Sequence, residues 1–399
     1  MKIIFLTLAK IDSIEVQGIY TDLLRKFRDN GHELIIVSPT ERKFKNKTNY
    51  FTEGKVKILN VWTTNIQKTN IVEKGITTLF LEFYYYNAIK KYIFYKDIDL
   101  ILYSTPPITF TYLIKRLKNA SNAKTYLLLK DIFPQNAVDL NLFNYGGILY
   151  NYFRKKEKVL YTISDFIGCM SPANLNYVIK NNPNLERTKL EVNPNSIEVK
   201  EKSLNLEINL YDKYNIPRDK IIYIFGGNLG VPQGIEFLKK NIDYCKSIKE
   251  AFFLVVGDGT EYKNFYNWIQ TECIKNTLLI KELPKTEYDE IINISHVGLI
   301  FLNPLFSIPN FPSRILSYMQ NYLPVICATD LITDIGEIAV QNNFGYKCLT
   351  TDLEAFFDFV KKLLNKDLRE RMGNNSYKYL IKEYNTDISY NKIIKKVNL

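Results

Sequence analysis

The feature that most constrains this fold is residues 221–238, IIYIFGGNLGVPQGIEFL, where an apolar run passes through a glycine-rich turn into a helical pattern. Residues 221–225 are β-branched or aromatic without polar alternation, which predicts a strand buried on both faces. Gly226, Gly227 and Gly230 allow a ligand to approach the backbone, and the start of the following helix attracts anions. The stretch predicts a nucleotide phosphate site or a plain strand-to-helix turn, because neither G-x-G-x-x-G nor G-x-x-x-x-G-K-[ST] is present.

The same order of strand and helix recurs along the chain. Residues 2–8, 18–29 and 33–38 form a predicted strand, helix and strand, which implies a parallel pair joined by a right-handed crossover. Helices are predicted near 107–118 and 147–160. Further strands are predicted at 57–62, 99–104, 124–130, 165–170, 220–226, 251–257, 277–281, 296–302 and 323–328.

Two domains are expected, because 399 residues exceed what one ordinary core accommodates. The predicted fold class is α/β, with two doubly wound, Rossmann-like domains facing each other across a cleft. The predicted domains are 1–195 and 196–385, with a polar linker at 193–206. A helix within 386–399 is expected to return to the first domain.

Composition argues against several kinds of chemistry. His32 and His296 are the only histidines, so no zinc site is expected. No Ser lies in a G-x-S-x-G elbow, which disfavours a Ser-His-Asp hydrolase. The five cysteines are scattered singly, and neither a signal peptide nor an apolar run of ~18 residues is present. A cytoplasmic protein is therefore expected.

The net charge of +11 is confined to the first half of the chain. Residues 1–200 hold 29 Lys and Arg against 18 Asp and Glu, whereas residues 201–399 hold 24 of each kind. This asymmetry indicates an anionic partner for the first domain, such as a membrane surface, a lipid phosphate or a nucleic acid.

A helical stretch at 74–97 combines aromatic and basic side chains, as is typical of a bilayer interface. Core packing explains some of these aromatic residues but not all, because they occur on more than one face. The residues concerned are Phe80, Phe83, Tyr84, Tyr85, Tyr86, Tyr92, Phe94 and Tyr95, with Lys74, Lys90, Lys91 and Lys96.

Two turns in the second half carry candidate binding groups. Asp258, in a Gly-x-Gly turn after the strand at 251–257, could accept from ribose hydroxyls or simply cap the turn. Ser313 and Arg314 open a predicted helix after three prolines. The helix dipole disfavours a cation at that position, and a bound phosphate would remove the conflict. The alternative for Arg314 is a side chain that extends to solvent.

The order of the motifs along the chain resembles that of a known family. GGNLGVPQGI, FFLVVGDGTEY and FPSRILSYMQNYLPVICA together resemble the donor-nucleotide domain of family 4 glycosyltransferases. GIYTDLLRKFRDNGHELIIVSP, STPPITFTYLIKR and LLLKDIFPQNAVDL resemble the acceptor domain of members that build bacterial capsule and O-antigen repeats. The resemblance covers nearly the whole chain. It implies a retaining enzyme of the GT-B fold.

The resemblance implies a donor site in the second half. Ser313 and Arg314 match the family's Pro-Ser-Lys, which holds the phosphates, and residues 281–283 would flank the base. The family often has acids where Ser317 and Pro309 stand, and these acids hold ribose and sugar hydroxyls. The implied donor residues are Gly226, Gly227, Asn228, Leu229, Gly230, Gly257, Asp258, Gly259, Lys281, Leu283, Ser313, Arg314 and Ser317.

An acceptor site is implied in the first half. Asp131 matches an acidic position that faces the cleft, where it could orient or partly deprotonate an acceptor hydroxyl. The alternative is a helix-capping Asp before Pro134. Lys130 could offset a phosphate on the acceptor, and Asp131 and Arg314 are the predicted catalytic residues. The implied acceptor-binding residues are Gln17, Gly18, Thr105 and Lys130.

Three function classes follow. The first is a glycosyltransferase, of the hexosyl or N-acetylhexosaminyl class, that moves a sugar from a nucleotide-sugar, with UDP favoured, to a polyprenyl-diphosphate-linked glycan. It would need no metal or cofactor and would bind the inner face of the cell membrane peripherally. The alternative is a nucleic-acid-binding α/β protein that uses the basic half, although no RRM, KH or zinc-finger pattern is present. A nicotinamide-dependent oxidoreductase is disfavoured, because no G-x-G-x-x-G follows a strand.

Overall fold

The computed structural model describes residues 1–66, 71–201 and 210–398, without the side chains of residues 71, 72 and 74–76. Part of the predicted linker at 193–206 and the side chain of Lys74 therefore lie outside the described residues. The chain forms two compact units. Unit 1 comprises Met1–Glu198 and Asn385–Leu399, and unit 2 comprises Val199–Tyr384.

Unit 1 contains an eight-stranded sheet in the order β3-β4-β2-β1-β5-β6-β7-β8. Every neighbouring pair is parallel except β3 and β4. The strands are β1 (Lys2–Leu6), β2 (Glu33–Glu41), β3 (Asn49–Glu53), β4 (Val56–Thr63), β5 (Leu100–Ser104), β6 (Lys124–Leu129), β7 (Phe166–Cys169) and β8 (Leu190–Val192). The helices are α1 (Ile19–Asp29), α2 (Ile71–Tyr92), α3 (Thr111–Ser121), α4 (Gln135–Asp139), α5 (Ile148–Ile163), α6 (Pro172–Asn181) and, beyond unit 2 in sequence, α15 (Thr386–Val397).

Helices cover both faces of this sheet because its central strands are apolar on both sides. Side chains of α2, α3 and α5 pack into one core, and α1 and α15 pack into the other. Ile393 and Val397 of α15 are buried in the second core with Phe27 of α1. The Thr386 N–H donates to the Ile197 carbonyl at 3.1 Å, which fixes the start of α15 to unit 1.

Unit 2 contains a six-stranded, fully parallel sheet in the order β11-β10-β9-β12-β13-β14. Its strands are β9 (Ile221–Gly226), β10 (Ala251–Val256), β11 (Thr277–Ile280), β12 (Val297–Phe301), β13 (Val325–Thr329) and β14 (Gly345–Leu349). Its helices are α7 (Leu210–Tyr214), α8 (Ile235–Tyr244), α9 (Tyr262–Thr271), α10 (Lys285–Asn293), α11 (Arg314–Gln320), α12 (Ile335–Gln341), α13 (Leu353–Lys362) and α14 (Lys366–Glu383). Two parallel-dominated sheets with interleaved helices confirm the predicted Rossmann-like fold class.

Three strands were not predicted, namely β3, β8 and β14. Each lies at or near a sheet edge and lacks the continuous apolar run that marks the central strands. Strand β3 is also the antiparallel exception, which a repeating strand-and-helix pattern cannot indicate.

The aromatic stretch at 74–97 is divided between core and surface. Tyr85 is fully buried, contacts Phe110 and donates its hydroxyl to the Thr7 carbonyl at 2.8 Å. Phe80 and Phe83 on α2 are exposed. One face of α2 therefore belongs to the core and another faces solvent. Within the described residues, none of the helices combines the length and apolarity that crossing a bilayer requires.

Candidate functional site

Two glycine turns at the carboxyl ends of β9 and β10 interlock. The Gly227 N–H donates to the Val256 carbonyl at 2.9 Å, and the Leu229 N–H donates to the Asp258 carbonyl at 2.9 Å. Gly257 has a φ of 156°, and a Cβ there would lie 1.8 Å from the Gly227 carbonyl oxygen. Only glycine permits this approach, so the two turns form one fixed backbone surface.

Arg314 is the first residue of α11, and its side chain reaches this surface. Its guanidinium carbon lies 4.4 Å from the centroid of the Phe225 ring and 3.6 Å from where a Cβ of Gly227 would stand. Its Nη1 is buried and, among the described residues, has no hydrogen-bond partner. Burial lowers the pKa of Arg314, but a guanidinium remains charged in proteins. A buried guanidinium nitrogen without a hydrogen-bond partner, beside a glycine turn, is an environment that a bound anion would complete.

Two tyrosines shape the wall around Arg314. The Gly226 N–H donates to the Tyr318 hydroxyl at 3.1 Å, and a Cβ on Gly226 would stand 1.8 Å from the Tyr288 hydroxyl. Burial raises the pKa of both tyrosines, so their hydroxyls stay protonated. Neither tyrosine was predicted. Tyr318 carried a signal, because it lies four residues after Arg314 on the same face of α11, whereas Tyr288 comes from α10.

The remaining predicted donor residues occupy varied environments. Leu229 is buried in the core, and the exposed Asn228 donates its amide to the Gln233 side chain at 3.2 Å. Asp258 accepts from the Gly259 N–H at 2.9 Å, as a turn-capping residue would. The others lie as follows: Gly230 precedes a 3-10 turn, Lys281 and Leu283 follow β11, Ser313 directly precedes α11, and Ser317 lies within it.

The helix that Ser313 and Arg314 were predicted to open begins at Arg314 and has only seven residues. Such a short helix offers little dipole. The anion-binding character of this region therefore rests on the Arg314 side chain and the glycine backbone, and not on the start of α11.

In unit 1, Thr105 and Asn136 position Lys130 and Asp131 just beyond β6. The Thr105 hydroxyl oxygen accepts from the backbone N–H of Lys130 at 3.0 Å and of Asp131 at 3.3 Å. The side-chain amide of Asn136 donates to the Asp131 carboxylate, with both oxygens 2.9 Å from its nitrogen. The N-cap residue of α4 is Pro134, so Asp131 is not that cap.

Lys130 is a second cation beside the carboxyl end of a strand. In the part of the chain that the structure describes, its ammonium group makes neither a hydrogen bond nor an ion pair. Burial lowers the pKa of Lys130 to about 7. The side chain can therefore gain or lose a proton near neutral pH, and a bound anion would favour its charged form.

Gln17 and Gly18 lie at the entry to α1. The Gly18 N–H donates to the Asp22 carboxylate at 2.9 Å, so its amide already has a partner. Asp22 is buried and pairs with Arg25 at 2.7 Å. Gln17 is half-buried.

A polar cavity of about 530 Å³ lies near this loop, at the ends of β1 and β2. Asn60 links its wall to the sheet, because its oxygen accepts from Ser38 at 2.8 Å and its nitrogen donates to Asp12 at 3.0 Å. The cavity was not predicted, although β2 changes from apolar to polar residues at Ser38. It is lined by Lys10, Asp12, Thr40, Asn46, Lys47, Thr48, Asn49, Phe51 and Asn60.

Comparisons with known proteins agree on one family and one fold. Residues 208–379 match the family described as Glycosyl transferases group 1. The chain is 22% identical over 327 residues to the probable glycosyltransferase WbjE of Pseudomonas aeruginosa, covering 82% of this chain and 80% of that protein.

Solved structures show the fold over the whole chain. A trehalose-6-phosphate structure from E. coli bound with UDP-2-fluoro glucose has a TM-score of 0.77 at 10% identity, covering 100% of this chain and 99% of that one. HepE of Anabaena in complex with UDP has a TM-score of 0.68 at 12% identity, covering 100% of both chains. The family match favours a transferase over a nucleic-acid-binding protein or an oxidoreductase. That match and the shared fold together support a glycosyltransferase of the GT-B fold, and the chain resembles the family 4 enzymes.

Proposed function

We propose that this enzyme moves a hexosyl or N-acetylhexosaminyl group from a UDP-sugar to a polyprenyl-diphosphate-linked glycan, with retention, in the assembly of a bacterial surface polysaccharide. The observation that carries the proposal is the buried Nη1 of Arg314 at the glycine turn of unit 2, which has no hydrogen-bond partner among the described residues. Similar structures that hold UDP or a UDP-sugar analogue support the choice of nucleotide. The resemblance of the motifs supports the lipid-linked acceptor and the polysaccharide.

In the proposed reaction, an acceptor hydroxyl oxygen forms a bond to the anomeric carbon of the donor sugar. The bond from that carbon to the β-phosphate oxygen breaks, and UDP leaves with the electron pair. Arg314 stabilises the charge that develops on the diphosphate, which is the largest expected catalytic contribution. Because a permanent cation fills this role, we propose that neither a metal nor a resident cofactor is needed.

The acceptor is proposed to bind unit 1. Asp131 would take the proton of the attacking hydroxyl, and Asn136 holds the carboxylate for this purpose. Lys130 would bind a phosphate of the lipid carrier, and Thr105 fixes the backbone of both residues. Gln17 and Gly18 are proposed contacts at the entry to α1. The polar cavity beside that loop would take a sugar of the glycan, because amide and hydroxyl side chains suit carbohydrate hydroxyls.

The enzyme is proposed to work at the cytoplasmic face of the membrane, attached peripherally. The charge excess of +11 within residues 1–200 supports this location, because each Lys or Arg near an anionic leaflet contributes about 1 kcal/mol.

Calorimetric titration with UDP, GDP and NAD tests the donor. We expect saturable binding of UDP, weaker binding of GDP and none of NAD, unchanged by EDTA. Equal binding of GDP and UDP would contradict the choice of uridine. Loss of binding in EDTA would contradict a site that works without metal.

A further inference from the structure

Unit 1 exposes a compact group of large apolar side chains around the start of α5. Tyr145 is 75% exposed, Ile148 90% and Leu149 57%. Leu142 and Tyr152 extend the group. We call residues 142–152 the apolar tip. Single exposed apolar residues are ordinary on protein surfaces, but a contiguous group of this kind marks an interaction site.

Contacts within unit 1 hold the apolar tip in a defined position. Phe143 points inward and packs against Phe133 and Phe153, with ring centroids 5.7 and 5.8 Å apart. The Leu142 N–H donates to the Ala137 carbonyl at 2.8 Å. These contacts anchor the underside of the segment. The outward side chains are therefore held in place and, among the described residues, remain exposed.

Two exposed lysines follow the apolar tip along α5. Ile148, Tyr152, Lys155 and Val159 follow one face of α5, at spacings of four, three and four residues. Lys155 is exposed and, among the described residues, forms no ion pair, and the same holds for the nearby Lys158.

The only acid within residues 140–163 is turned inward. This residue is Glu157, which is buried and paired with Arg154 and Tyr161. The exposed face of α5 is therefore apolar and basic, without a carboxylate.

The neighbouring helices extend this surface. The Lys156 ammonium contacts Glu82 of α2 at 3.3 Å and Thr111 of α3 at 3.2 Å, so the three helices lie in one layer. Phe83 of α2 packs on Tyr112 of α3 and is itself partly exposed. The exposed aromatic residues of α2 thus belong to the same side of unit 1 as the apolar tip.

We propose that the apolar tip enters the interface of an anionic bilayer and is the main membrane contact of this enzyme. The proposal rests on the proposed function, in which the acceptor is lipid-linked. Apolar side chains that protrude into the headgroup region, with exposed lysines beside them, fit a surface that is apolar below and anionic above. A second copy of the chain fits less well, because the exposed lysines of two identical surfaces would repel each other.

Vesicle sedimentation of the full chain tests the proposal. The variant Ile148→Ser with Leu149→Ser is compared with Leu331→Ser and Ile332→Ser, a matched pair of neighbouring exposed apolar residues in unit 2. With phosphatidylcholine vesicles that contain phosphatidylglycerol, we expect at least a tenfold weaker partition for the first variant and less than a twofold change for the second. Equal losses in both variants, or no loss in either, would overturn the proposal.

A depth measurement distinguishes insertion from docking on a protein. Ile148→Trp should be quenched by brominated lipids, and Leu331→Trp should not. A different result would assign the apolar tip to a second copy of the chain. In that case the chain would dimerise with rising concentration, Ile148→Ser with Leu149→Ser would abolish the dimer, and Trp at position 148 would not be quenched.

UDP titration of the same variants separates this inference from the proposed function. If the wild-type chain binds UDP but does not bind vesicles, only the proposed membrane contact is contradicted. If the wild-type chain does not bind UDP, the proposed function is contradicted.

Discussion

Lys130 of unit 1 and Arg314 of unit 2 are two cations in similar surroundings that behave differently. Each lies beside the carboxyl end of a central strand, and burial lowers the pKa of both. The pKa of Lys130 falls to about 7, so this side chain titrates near neutral pH. The arginine stays charged, because its ordinary pKa is far higher. The same desolvation thus yields an adjustable charge in one unit and a permanent charge in the other.

This difference matches the two proposed ligands. A departing diphosphate gains charge during the reaction, so its partner has to be cationic throughout. A carrier phosphate keeps its charge, and a lysine that becomes protonated when the phosphate binds is sufficient there. The comparison can be tested by removing each group and by exchanging the two residue types.

We expect the largest effect from substitution of Asp131. A loss of turnover would show that the loop after β6 in unit 1 takes part in the reaction. Asp131→Asn should lower turnover about 100-fold to 10,000-fold, the usual contribution of a positioned proton acceptor, with UDP affinity unchanged. Asp139→Asn is the matched control, since it makes the same change at the end of α4. Rates with labelled donor and calorimetry with UDP provide the measurements. Full turnover of Asp131→Asn would leave the residue a structural role only.

Arg314→Ala is expected to weaken UDP binding about tenfold to a hundredfold, since a charge-assisted bidentate contact is worth roughly 1.5 to 3 kcal/mol. The fold should survive without ligand, because the substitution loses the contact with Phe225 but also removes a buried Nη1 that has no hydrogen-bond partner among the described residues. Arg371→Ala removes the same charge from an exposed position on α14 and should change affinity less than about threefold. Equal effects of the two substitutions in calorimetry would refute a special role for the buried site.

Lys130 should give the smallest effect at any single step of one pH unit, visible as a pH dependence of stability. Its folded-state pKa of about 7 lies below the ordinary 10.5, so the unfolded chain binds the extra proton between these pH values. Wild-type stability should therefore rise with pH across this window relative to Lys130→Met, by at most about 1.4 kcal/mol per pH unit. Lys130→Arg should remain charged and show no such rise. Urea unfolding at several pH values provides the measurement, and parallel curves for wild type and Lys130→Met would contradict the burial argument.

The sequence allowed prediction of the fold wherever strands are continuously apolar, as in β9 and β10. It did not reveal β3 or β14, because edge strands are partly polar and short. The place of Arg314 followed from motif order. Its unsatisfied Nη1 and its neighbour Tyr288 depend on contacts between α10, α11 and β9, which are distant in sequence and meet only in the folded unit.

Exposure was the property least accessible from sequence. Eight aromatic residues at 74–97 indicated a bilayer interface, but Tyr85 is in the core. Residues 142–152 carried only the predicted start of the helix near 147–160 and no predicted surface role, because a short apolar run before a helix usually packs inward. Only the fold shows that Phe143 fills that inward position and leaves Ile148 and Leu149 outside.

The return of α15 to unit 1 has a consequence for the order of events on the ribosome. Residues 199–384 emerge as a complete unit while the face of the first sheet that α15 covers is still open to solvent. At a synthesis rate of ~5–20 residues per second, this interval lasts on the order of ten to forty seconds. The half of the enzyme that is translated first is therefore the last to close, and throughout that time it presents an uncovered apolar face to chaperones and proteases.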